Sequence, residues 1–291
     1  MIEYFNDLGA HSFLRYSLIA GLIASVSFGV VGTYVVARRI TYIAGAVAHC
    51  ALGGIGSGLY AQRVLGWEWC DPVYGALLVS VAAALVIGWV TLRGSEREDT
   101  IIGALWATGM AAGFLFIQKI PGTVNTTTYL FGDINIVSAT DVWLTSILAV
   151  VVVTLAYLYH KQFVAISFDE EFARVRGVKV SLFYLLLLCL TAITVVILVR
   201  IVGIIMVIAL LTLPAAIASR LGRGFFQIML VATLLCMGFI SSGLAVSYSA
   251  ETVTGPTIIL IAASAYFLTL LIPRRRSRSD PAFPRFSDYR A

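Results

Sequence analysis

The sequence predicts an all-α integral membrane protein, a polytopic bundle of about nine transmembrane helices, with eight as the alternative count. Three observations predict it. Only 12% of the 291 residues are charged and 60% are hydrophobic, where a soluble domain carries about 25% charge. The mean hydropathy is +0.95. Apolar runs of the length that crosses a bilayer, about 20 residues, recur from end to end, and no polar block between them is long enough for a soluble domain.

The first run, 14–37, is too long for the apolar region of a signal peptide, and no A-x-A site follows it, so it is read as a span. The second, 41–63, starts just after Arg38 and Arg39 and is rich in small residues. The third and fourth, 73–92 and 101–118, flank a loop holding Arg93 and Arg97. The fifth is 141–160. The stretch from Ser181 to Ser219 far exceeds a bilayer and must hold two spans, 181–199 and 201–219, divided at Arg200. The last two are 225–247 and 256–273. The transmembrane domain is therefore 1–273, followed by a basic, Ser- and Pro-containing tail at 274–291 that reads as flexible.

Basic residues orient these spans. With the N-terminus outside, the inner segments collect Arg38, Arg39, Arg93, Arg97, Lys161, Arg174, Arg176, Lys179, Arg220 and Arg223, and the tail adds six more arginines. That bias puts the C-terminus in the cytoplasm, and an odd number of spans satisfies it. The net charge of +5 does not indicate nucleic acid, because the basic residues sit at the ends of apolar runs rather than on one polar face. The four cysteines, Cys50, Cys70, Cys189 and Cys236, are scattered singly and form neither a disulfide framework nor a structural zinc pattern.

Two connections stand out. Residues 119–140 are too polar to span and form a long outer segment, interfacial or re-entrant. The inner loop 160–180 reads as a short amphipathic helix. Phe168, Phe172 and Val175 share one face by their spacing, Asp169 begins it as an N-cap, and Gly177 ends it.

Polar groups inside a bilayer are costly and mark candidate sites. His49 lies eight residues past Thr41, about 12 Å along a helix, near the midplane. A neutral imidazole there is able to bind a transition metal and release it. A hydrogen bond to a neighbouring helix is the plain alternative. Around it Gly45, Ala46, Ala48, Gly53, Gly54, Gly56 and Gly58 give a small-residue helix, suited to close packing or to bordering a substrate path. Cys50 points about 100° away from His49 and is not paired with it. Pro214, within the seventh span, removes a backbone donor and kinks the helix, which serves either gating or architecture. Asp133, in the outer YLFGDI stretch, is a weak candidate to meet a cation at the mouth, with a solvated loop carboxylate as the alternative. No P-loop lysine motif, G-x-S-x-G or H-E-x-x-H occurs, so the chain has no recognisable catalytic site of its own.

Five stretches, in order, carry a resemblance. They are VVARRITYIAGAVAHCALGGIGSG, REDTIIGALWATGMAAGFLFI, TTTYLFGDINIVSATDVW, ISFDEEFARVRGVKV and VGIIMVIALLTLPAAIASRL. Together they resemble the membrane permease of ABC importers for zinc, manganese or iron, over most of residues 14–273. The resemblance implies a homodimer in the bacterial inner membrane, a cytoplasmic ABC ATPase that uses ATP, an extracytoplasmic metal-binding protein, and a transported divalent metal with no tightly bound cofactor. It implies that Phe168, Asp169, Glu171, Phe172, Ala173, Arg174 and Gly177 form the coupling helix docked on the ATPase. It also implies that His49 lies on the metal path, bordered by Gly45, Gly53 and Gly54. Many members of that family carry an acid four positions before this histidine; here the position is Gly45. The missing oxygen ligand tilts the expectation from manganese towards zinc or iron. The alternatives are an ABC permease for a metal chelate or cobalamin and, less favoured, a secondary transporter or membrane assembly factor.

Overall fold

A computed structural model of the chain describes residues 12–94, 97–122, 126–132, 137–222 and 224–271. The tail 274–291 and Asp133 lie outside them. Among the described residues the regular structure is helical throughout. The helices are α1 (Ser12–Ala37), α2 (Thr41–Arg63), α3 (Pro72–Arg93), α4 (Glu98–Gln118), α5 (Thr126–Phe131), α6 (Ala139–Leu158), α7 (His160–Phe168), α8 (Glu170–Val175), α9 (Val180–Val202), α10 (Ile204–Leu221), α11 (Phe225–Ser249) and α12 (Thr254–Leu271). Nine of them, all except α5, α7 and α8, are long and apolar enough to cross a membrane.

Local chemistry starts several of these helices. Pro72 occupies the first turn of α3, and the Asp71 carboxylate before it accepts from the Val73 amide at 2.8 Å, satisfying one of the donors a helix start leaves open. Ser138 and Asp141 form a reciprocal capping box at α6, with the Ser138 amide donating to the Asp141 carboxylate at 3.0 Å.

The division of the long apolar stretch is set by a glycine, not by Arg200. The helix runs through position 200 to Val202, and Gly203 turns the chain at φ 79° and ψ 162°, a conformation that excludes side chains. A charged residue in an apolar run does not by itself break a helix; the loss of a Cβ at Gly203 permits the break. The short α5 closes over this turn. A Cβ on Gly203 would lie 2.2 Å from the Gly132 nitrogen, and one on Gly132 would lie 2.6 Å from the Val202 carbonyl carbon. The 119–140 segment thus includes a helical turn seated on the α9–α10 hairpin.

The centre of the bundle is α2. Of its apolar window 89% is buried inside the chain, against 17% for α4 and for α12. A helix apolar all round seeks such a position, and glycines let its neighbours reach it. On one side Gly54 and Gly58 meet α3 in antiparallel register, opposite Gly75 and Pro72. On the other, Gly53 and Gly56 meet α4 in parallel register, opposite Gly109 and Gly113. α1 packs against α11, α6 and α10, and α9 against α3. Pro214 is buried inside α10, where it leaves the carbonyl one turn back without its helical donor.

Candidate functional site

Two places gather the functional candidates. The first lies within the bundle. His49 is only 8% exposed, and its Nδ1 is buried with no hydrogen-bond partner among the described residues. A buried polar atom without a partner calls for an explanation. Its ring stacks on Trp106 of α4, with centroids 4.4 Å apart and planes inclined by 22°. Gly45 lies one turn before His49 and lets the indole settle, since a Cβ there would stand 3.0 Å from the Trp106 ring. An acid at this position would compete with the indole for space, which is a physical reason for glycine here. The neighbouring Cys50 thiol points to α4 and donates to the Leu105 carbonyl at 3.2 Å. Gly53 and Gly54 carry backbone contacts to α4 and α3, so in this conformation they border packed helices. Among the described residues no three His, Cys, Asp or Glu side chains converge as a metal cage.

The second place is the segment between α6 and α9. The sequence suggests one amphipathic helix there. The structure has two, α7 and α8, joined at Asp169, which is extended at φ −150° and ψ 103°. The Asp169 carboxylate accepts from the Phe172 amide at 2.9 Å, and that N-cap is why the chain restarts as a new helix. Phe168 therefore belongs to the helix before the cap. Gly177, at φ 77°, follows the last turn of α8. Ala173 is fully buried, whereas Phe168, Phe172 and Val175 are 72, 53 and 87% exposed; Glu171 and Arg174 are exposed beside them. A cavity of about 490 Å³ opens here, lined by Lys161, Val164, Ala165, Phe168 and Phe172 among others.

Beside the buried Phe163, Ile166 and Ala173, Arg38 at the end of α1 ties this segment to the bundle. Its guanidinium donates to the Ile166 carbonyl at 2.6 Å, pairs with Glu170, and lies 5.0 Å from the Tyr184 ring centroid. Burial pulls its pKa down from the ordinary value, opposed by Tyr184 and Glu98. The Tyr34 hydroxyl shares a hydrogen bond with His160 Nδ1 at 2.9 Å, and Phe163 packs edge-on against Tyr34. Sequence reading used Arg38 for topology and passed over its anchoring role; its place directly after a buried span was the available signal. Trp106 left none beyond its depth, eight residues into α4 as His49 is eight into α2.

Comparison with known proteins points one way. A profile of the "ABC 3 transport family" matches residues 10–273. A protein of Chlamydia pneumoniae named "Probable metal transport system membrane protein" is 38% identical over 268 residues, 91% of each chain. The "Manganese transport system membrane protein MntC" of Listeria monocytogenes is 31% identical over 270 residues, 92% of this chain and 93% of that one. Among solved structures, "PsaBC from Streptococcus pneumoniae in complex with Fab" superposes with a TM-score of 0.84 at 27% identity, covering 95% of this chain and 98% of the other.

Proposed function

The chain belongs to the ABC 3 transport family, and we propose that it is the permease subunit of an ATP-driven importer for a divalent transition metal. The observation that carries this reading is the family match across residues 10–273, which takes in every one of the nine spans. Relatives named for metal and manganese transport support the cargo. The chain carries the membrane half of the machine, so ATP is hydrolysed by a separate cytoplasmic subunit.

In this reading α8 and the exposed Phe168 and Phe172 dock on that ATPase. Arg38 transmits its movement to α1 and α9. A second copy of the chain completes the pore, and an extracytoplasmic protein delivers the metal. The basic segments, α7 and α8 face the cytoplasm, and the multi-pass chain sits in the bacterial inner membrane. His49 offers one imidazole to a passing cation, a ligand set too sparse to retain it and suited to transfer. The Listeria relative favours manganese and the lone imidazole favours zinc or iron, so the metal itself is the quantity to measure.

The test is elemental mass spectrometry of zinc, manganese and iron in metal-limited cells that are intact, lack the protein, or carry only His49→Ala. One metal is expected to fall without the protein and to stay low with His49→Ala. If that metal recovers with His49→Ala, the histidine is packing and the permease reading stands without it. Unchanged levels of all three metals in the deletion would falsify the metal permease and favour chelate transport.

A further inference from the structure

We propose that the loop between α2 and α3 is a membrane-interface anchor: Trp67 and Trp69 lie in the headgroup layer of the lipid bilayer and hold the α2–α3 hairpin at a fixed depth. This needs only that α2 and α3 cross the bilayer; the orientation proposed above makes the leaflet the outer one.

The loop turns its large apolar side chains outward. Trp67 and Trp69 are 49 and 74% exposed, and Val64 and Leu65 beside them are exposed as well. The two indoles stack on each other, with centroids 5.8 Å apart and planes inclined by 15°, so they form one apolar tip. The main chain sets this shape. The Trp67 amide donates to the Ala61 carbonyl at 3.1 Å and the Cys70 amide to the Trp67 carbonyl at 2.9 Å. Gly66 makes the turn at φ 73°, a conformation that favours glycine. An ordered loop that displays a contiguous apolar patch is fit for an apolar partner. Glu68 is the one charge between Val64 and Cys70, so the tip is not built for an ionic one.

The helix that follows says which partner it is. The outward stripe of α3 runs through Tyr74, Leu78, Leu85, Val86 and Trp89. Ser80, the one polar side chain between Tyr74 and Trp89, is turned inward and donates to the Val47 carbonyl at 3.2 Å. At the far end the Arg93 guanidinium lies 4.1 Å from the Trp89 ring centroid, as a cation does when it reaches for the interface past an aromatic ring. Tyr74 and Arg93 are nineteen positions apart, about 28 Å along a helix, which matches the hydrocarbon core of a bilayer at about 30 Å. With Trp89 and Arg93 at one interface, Tyr74 stands at the other, and the Trp67–Trp69 tip directly before α3 lies in the same layer. Another span repeats the pattern: α6 exposes Trp143 near its start and Tyr157 near its end. Indoles favour that layer because the ring body is apolar and the N–H seeks water. The tip is also coupled to the bundle. Gly54 lies against Gly75 and Gly58 against Pro72, main chain to main chain, so the depth at which the loop is held is the depth of α2 and of His49 within it.

The experiment reads tryptophan fluorescence of the full chain in phosphatidylcholine vesicles. The chain has five tryptophans, so the signal of the loop is the difference between the parent and a variant carrying Trp67→Phe and Trp69→Phe. Phenylalanine keeps the tip apolar, and each single variant carries the same test if the double variant does not reconstitute. Three quenchers are compared: lipid brominated high on its acyl chains, lipid brominated near the chain ends, and iodide in the water. The difference signal is expected to be lost most to the shallow-brominated lipid, less to the deep-brominated lipid and least to iodide. Loss chiefly to iodide puts the tip in water and overturns the anchor. A signal that none of the three quenches puts a protein surface over the loop and overturns it as well. Greatest loss to the deep-brominated lipid puts the tip in hydrocarbon, below the headgroup layer, and overturns the assigned depth and the anchor with it.

Discussion

The interior of α2 and the α7–α8 segment solve opposite problems. Along α2 the neighbours are backbone: at Gly54 a Cβ would stand 2.3 Å from the Gly75 carbonyl oxygen, and no side-chain rearrangement makes room. In α7–α8 only Phe163, Ile166 and Ala173 reach the core, Arg38 adds polar ties to Ile166 and Glu170, and the outer face is left open, as Phe168 and Phe172 show. Without a hydrophobic drive between helices in lipid, close approach through small residues is what holds a bundle together. An exposed apolar ridge on a charged loop holds nothing by itself and is fit for a partner. Damage to the first region should therefore show as lost stability, and damage to the second as lost coupling.

The largest effect expected is at Gly54. Overpacking usually costs about 1–3 kcal/mol, and because the obstructing atoms here are main chain, Gly54→Val is placed at the top, about 3 kcal/mol or more. Thermal unfolding of the detergent-solubilised protein checks it. A variant as stable as the parent would mean that α2 and α3 are further apart than the glycine contacts require.

Arg38→Ala comes next and crosses the two regions. Hydrogen bonds to a charged group contribute about 1.5–3 kcal/mol. The Glu170 side chain is 39% exposed, so solvent screens part of the pair, and a loss of about 2 kcal/mol is expected. The sharper consequence is functional: α8 loses its tether to α1, and ATP turnover should no longer respond to metal. Arg38→Lys should rescue little, since one ammonium does not reproduce a guanidinium's several directed donors. Coupled ATPase activity in Arg38→Lys equal to the parent's would show that charge alone suffices.

Phe172→Glu should leave stability within about 0.5 kcal/mol, as surface changes do, while abolishing metal-dependent ATP hydrolysis and uptake. Normal uptake in that variant would remove the coupling role of α8 and with it the contrast between the regions.

How much of this was legible from sequence follows the same division. Span lengths, the position of His49 and the Asp169 cap are properties of single segments, and each could be read from one. The α9–α10 turn was misplaced to Arg200 because a charge in an apolar run is conspicuous. Gly203 is one glycine among 25, and its conformation is dictated by α5 lying on top of it. The amphipathic helix read from Asp169 to Gly177 is α8, and the same cap also ends α7, a preceding helix that the sequence pattern did not single out. Trp106 over His49 and Arg38 under α7–α8 are contacts between residues 57 and 128 positions apart in sequence, and no periodicity within one helix reveals them. Gly45 appeared as a missing acid; in the structure it is a surface shaped for an indole.

The smallest effect expected tests whether the α2 site is one histidine or a pair. Cys50 follows His49 directly but sends its thiol to the Leu105 carbonyl at 3.2 Å, a weak bond between packed helices. Cys50→Ala removes it and should cost about 0.5–1 kcal/mol, with metal uptake changed by less than about twofold, equivalent to a few tenths of a kcal/mol. Cys50→Ser keeps a donor, though a more polar one. An uptake defect in Cys50→Ala as deep as that of His49→Ala, with the protein still folded, would make the thiol part of the metal path. Cys50 would then have to turn away from Leu105 to meet the cation, and the α2 region would be a moving part rather than a rigid one.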